Sequence, residues 1–107
     1  MPTIVQIEAN LQWQVARTKA GNWLGVCDPL RLTLQSETYA ELMEDIGLAL
    51  NAMLGDLLET HDLERFLRDH GWRPLGVIPA RREDVRFDVP FYLLPVNASG
   101  APRNLHQ

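Results

Sequence analysis

The sequence predicts an α+β fold: a three-stranded antiparallel meander packed by one long helix, then a short helix and one or two further strands. Three observations carry that expectation. Apolar residues occupy every second position from Val5 to Val15 and again from Leu30 to Leu34, the period of half-buried strands. Thr38, with Glu41 three residues on, opens a segment whose apolar residues recur at three- and four-residue steps. Beyond Gly71, prolines divide the chain into short extended pieces.

Val5, Ile7, Ala9, Leu11, Trp13 and Val15 alternate with polar residues, which predicts one half-buried strand or two strands sharing a face, with a bend at Asn10. Thr18 to Asn22 supplies the polar residues and glycine of a hairpin turn. Trp23 to Cys27 returns as a strand that stops at Asp28-Pro29, because proline gives no amide to a ladder. Leu30, Leu32 and Leu34 then make a third strand with one dry side.

The Thr38 hydroxyl is placed to accept the Glu41 amide, and the stripe Leu42, Ile46, Ala49, Leu50, Met53, Leu57 follows on one helical face. Gly47 is read as a close-packing position and Gly55 as lying near a kink or an end. A short helix covers Leu63 to His70 and ends at Gly71. Leu75 to Ile78 is expected as a strand closed by Pro79, Ala80 to Asp84 as an exposed loop, and Val85 to Val89 as a further strand. Phe91 to Leu94 is apolar enough to be buried or to meet a partner, and residues 97–107 read as a flexible tail.

The bulk properties narrow the function. A chain of 107 residues with 46% hydrophobic content is one ordered domain, here residues 1–96. A net charge of -4 argues against a chain that lives by wrapping phosphates, so direct DNA binding is not expected. Cys27 is the single cysteine, which excludes an internal disulfide and a thiolate zinc cluster and fits a reducing cytoplasm. The opening MPTIVQIEAN lacks the basic and apolar regions of a secretory signal, and no stretch is long and apolar enough for a bilayer. A cytoplasmic protein with no membrane role is the expectation.

Gly21, Trp23, Thr38, Glu41, Leu42, Ile46 and Ala49 follow the order of turn, aromatic strand and threonine-capped helix. In that order the chain from about residue 11 to 57 resembles the HicB-like antitoxin family. Ser36-Glu37 stands where that family usually has a glycine ahead of the capping threonine. The resemblance implies a partial ribonuclease-H-like arrangement, with a further strand at a sheet edge. It also implies a non-enzymatic protein that neutralises a small ribonuclease toxin by contact and forms a homodimer or higher homo-oligomer. Full antitoxins often add a DNA-binding helix pair, and the sequence after Gly71 offers none.

No catalytic, cofactor-binding or metal-binding residues are assigned. His61, His70 and His106 are scattered, and His70 suits a helix C-terminus. Cys27 reads as an inert, partly buried thiol. The alternative function is a small nuclease-like or RNA-processing enzyme using Asp28, Glu8 and Glu44 as metal-binding carboxylates on a ribonuclease-H-like sheet. The candidate partner-binding residues are Trp23, Arg81, Arg82, Phe91 and Tyr92: aromatic rings remove much area from water at low entropic cost, and the arginine pair suits an acidic partner.

Overall fold

A computed structural model of the chain describes residues 1–96. The strands are β1 (Thr3–Glu8), β2 (Gln12–Arg17), β3 (Trp23–Cys27) and β4 (Leu32–Ser36), followed by helices α1 (Tyr39–Glu59) and α2 (Leu63–His70). Three more strands close the chain: β5 (Arg73–Pro74), β6 (Val85–Asp88) and β7 (Tyr92–Pro95). The fold is α+β, a strand meander packed by a long helix, as the sequence predicts. The expected tail, residues 97–107, lies outside the described residues. Among the described residues two compact units are formed, one from Met1–Asn10 with Gly47–Pro90, the other from Leu11–Ile46 with residues 91–96.

The unit holding Leu11–Ile46 has a four-stranded sheet in the order β4-β3-β2-β7. β2, β3 and β4 are the antiparallel meander, and β7 returns on the free side of β2, parallel to it. The hairpin turn is held by the Thr18 amide on the Asn22 carbonyl at 2.8 Å, with Gly21 at φ +89°, a backbone region that favours glycine. Trp13, Val15 and Cys27 are buried on the side that α1 covers, as their alternation predicts. Gly25 lies between Val15 and Leu34 on that side, and a Cβ there would stand 3.3 Å from Leu42 Cδ1. The missing side chain is what lets the helix sit this close to the sheet. Thr38 Oγ1 accepts the Glu41 amide at 3.1 Å, so the predicted cap starts α1. Ser36 Oγ adds a 2.6 Å bond to Asp45 Oδ2, tying the end of β4 to the helix. β4 begins at Leu32 rather than Leu30, because Asp28–Leu30 winds into a 3-10 turn that Arg31 closes at φ 55°.

The unit holding Met1–Asn10 has a three-stranded sheet, β5-β1-β6, with β1 and β6 parallel and β5 antiparallel. The predicted run from Val5 to Val15 is therefore two strands that belong to different sheets, not two strands of one meander. Period two reports which side of the chain is dry; it carries no information about the strand alongside. Val85, Phe87 and Val89 are buried as expected, and Asn51 Oδ1 accepts the Phe87 amide at 2.7 Å. The expected strand from Leu75 to Ile78 is absent: β5 ends at Pro74, and only the Leu75 amide still reaches the Gln6 carbonyl, at 2.8 Å. Pro74 and Pro79 give no amide and Gly76 adds no side chain, so pairing stops there.

Leu50 and Leu54 of α1 are among the most buried side chains of the chain, with Leu63 and Leu67 of α2 also in the core. α2 ends as predicted, with Gly71 at φ +70° and the Trp72 amide on the Leu67 carbonyl at 2.8 Å. Gly55 lies near the end of α1 as expected, but the close-packing position is Gly55 and not Gly47. A Cβ at Gly47 would meet nothing within 4 Å, whereas one at Gly55 would collide with Arg82 Nε at 2.7 Å.

Candidate functional site

The strand registers decide which candidates share a surface. Gln12 pairs with Tyr92 and Gln14 with both Leu94 and Val26, while Ala16 pairs with Leu24. By alternation these residues lie on the sheet face opposite Trp13, Val15 and Gly25. Thr33 and Gln35 of β4 join them through Val26 and Leu24. Tyr92 is 62% exposed and Leu94 40%, with Leu24 and Val26 half-buried beside them. The result is a face on which two short apolar rows, Tyr92-Leu94 of β7 and Val26-Leu24 of β3, are separated by Gln12, Gln14 and Ala16 of β2. It carries no charged side chain, so a protein surface can dry it without stranding an ion.

Trp23 is on the other face. Its ring meets Tyr39 of α1 edge-on at 5.2 Å, and the Arg17 guanidinium lies 5.5 Å from its centroid. Trp23 is thus a half-buried support for the first turn of α1, stacked by a cation that offsets part of its exposure. Phe91 is half-buried just ahead of β7.

Arg81 and Arg82 belong to the other unit. Arg82 Nη1 donates to Asp56 Oδ1 and to Glu59 Oε1, the latter at 2.7 Å, and Nη2 reaches the Ala52 carbonyl at 3.4 Å. This guanidinium is engaged within the fold, clamping the 3-10 turn at Arg82–Asp84 to α1. Arg81 pairs with Glu83 at 2.7 Å, and an amide hydrogen bond within Glu83, then this guanidinium, hold the Glu83 carboxyl below the ordinary carboxylate range. Trp23 and Tyr92 therefore lie on opposite faces of one sheet, and the two arginines belong to the other unit. Leu94, Leu24 and Val26 were not among the five sequence candidates, and only the parallel register of β7 reveals that they share a sheet face with Tyr92.

Groups with potential chemistry are dispersed. Cys27 is fully buried, and desolvation pushes its thiol above the ordinary value, with Asp28 adding to the rise against a lowering contact from the Leu30 backbone. Glu8 forms a 2.9 Å ion pair with Arg73, Asp28 starts a 3-10 turn, and Glu44 is exposed on α1. Among the described residues no group of three or more His, Cys, Asp or Glu could hold a metal ion. His70 Nδ1 lies 3.0 Å from the Phe66 carbonyl with its ring stacked on Phe66; His106 is outside the described residues. An open groove of about 530 Å³ runs along α2, lined mainly by Leu58, Leu63, Leu67, Trp72 and Ile78, with Glu64 and Arg68 its charged members. Among the described residues no helix is long and apolar enough to cross a membrane. No family model matches the chain, and neither the curated proteins nor the solved structures searched contain a match.

Proposed function

We propose that this chain is a non-enzymatic protein-binding module of the HicB-like type, which neutralises a small ribonuclease toxin in the cytoplasm by covering its working surface. The observation that carries the reading is the strand order of the Leu11–Ile46 unit. A meander runs into a capped helix, and a last strand returns parallel to the first, leaving one sheet face uncovered by the helix. Tyr92 is the anchor on that face, with Leu94 beside it, since an aromatic ring removes much area from water at low entropic cost. The working form is a homodimer.

The test uses the full chain and the product of the neighbouring reading frame, because toxin and antitoxin are normally encoded together. RNA cleavage by that product is measured against rising amounts of this chain. Cleavage falls stoichiometrically, and Tyr92→Ala raises the amount needed by about tenfold or more. Retention of no small protein together with unchanged cleavage overturns the reading.

A further inference from the structure

The four-stranded sheet has two outer strands, β7 and β4, and they differ in what they offer a neighbour. In β7 the amides of Tyr92 and Val96 donate inward to the Leu11 and Val15 carbonyls, at 2.8 Å each. By alternation Leu93 and Pro95 face outward, and Pro95 has no amide. Pro90 precedes the strand as well. Prolines at such positions are a common means of keeping an edge from pairing. β4 has none of these guards. Leu32 to Ser36 contains no proline and no charge, and it pairs with β3 in unbroken register from Cys27↔Leu32 to Trp23↔Ser36.

We infer that β4 is a self-pairing edge, along which a second copy of this chain adds antiparallel about a two-fold axis at Leu34. The inference rests on the homodimer read above and assigns its surface. The charges flanking the strand fix the occupant and the register. An axis at Leu34 sets Leu32 opposite Ser36 of the second copy and Thr33 opposite Gln35, and it brings Arg31, just before one strand, beside Glu37, just after the other, each twice. Arg31 and Glu37 are both exposed, and neither takes part in an ion pair among the described residues. A slide of two residues along the strand loses both ion pairs, so the register is specified at its two ends. Leu32 and Leu34 are only half-buried in one copy, and pairing about this axis places Leu34 beside its own counterpart. Two-fold pairing closes on itself, whereas β4 on β7 of another copy would propagate as an open chain.

Sedimentation of the full chain across a range of concentrations at low salt tests this, with Arg31→Glu, Glu37→Arg and the double exchange compared. Each single reversal turns two attractive pairs into two repulsive ones and weakens the dimer by about tenfold, and the double exchange restores it. Added salt narrows these differences. A second measurement is independent of charge. Opposed Cα atoms in an antiparallel pair are about 4.5–5.5 Å apart, within disulfide reach, so Leu34→Cys cross-links two copies on oxidation and Leu94→Cys does not. A wild-type monomer at all concentrations overturns both the dimer and this surface. A dimer indifferent to the charge reversals and not cross-linked through Leu34→Cys overturns the surface alone, and so does growth into open chains.

Discussion

Gly55 and Arg82 should behave as one energetic unit, although 27 positions separate them in sequence. Alanine is about 1 kcal/mol more favourable than glycine inside a helix, so Gly55→Ala would ordinarily stabilise α1. Here the added methyl would stand 2.7 Å from Arg82 Nε and 3.2 Å from its Cγ and Cζ. The side chain can escape only by releasing Asp56, Glu59 and the Ala52 carbonyl. In the wild-type background the propensity gain is therefore cancelled or reversed. After Arg82→Ala the obstacle is gone, and Gly55→Ala stabilises by the full amount of about 1 kcal/mol. Gly47→Ala is the control, because a Cβ there meets open space and gives a similar gain in both backgrounds. Urea denaturation followed by helical circular dichroism resolves such differences as midpoint shifts of about 0.3–1 M. Equal stabilisation by Gly55→Ala with and without Arg82 would refute the clamp.

Two further expectations follow from single side chains. Asn51→Ala leaves the part-buried Phe87 amide without its acceptor and costs about 1–3 kcal/mol in the same assay, while Asn51→Asp, which keeps an acceptor, loses much less. Burial raises the Cys27 thiol above its unfolded value, so the folded state holds that proton more tightly. Its stabilising contribution is complete below the unfolded thiol pKa of about 8.5 and falls away as pH rises above it. Denaturation at pH 7 and pH 10 should show a steeper alkaline loss for wild type than for Cys27→Ala; parallel curves would remove Cys27 from the account.

The parts of the fold that were legible in the sequence are those written in neighbouring residues. Thr38 and Glu41 mark the start of α1 because a cap is a three-residue event, and Gly71 marks the end of α2 because only a left-handed residue closes it that way. The dry sides of β1, β2 and β6 were equally plain from alternation. Pairing partners were not. The same alternation runs through Val5 and Trp13, yet β1 and β2 lie in different sheets, because hydrogen-bond partners are supplied by distant residues such as Phe87 and Leu93. Gly47 and Gly55 look alike in sequence, and what separates them is a guanidinium 27 positions beyond Gly55. The apolar rows were half visible: Tyr92 stood out as an aromatic, but only the β7 register shows that Tyr92 and Leu94 share a face with Val26.

The parallel return of β7 has a consequence for biosynthesis. Gln12 leaves the ribosome 80 residues ahead of Tyr92, its neighbour in the finished sheet. At about 5–20 residues per second the nascent chain waits about 4–16 s with that flank of β2 bare. The meander and the first turns of α1 can assemble during this interval, but that flank of the sheet stays open until Tyr92 to Pro95 have emerged. A pause or premature stop before codon 92 would release a species with an unguarded central strand, the kind of intermediate that chaperones hold and proteases remove.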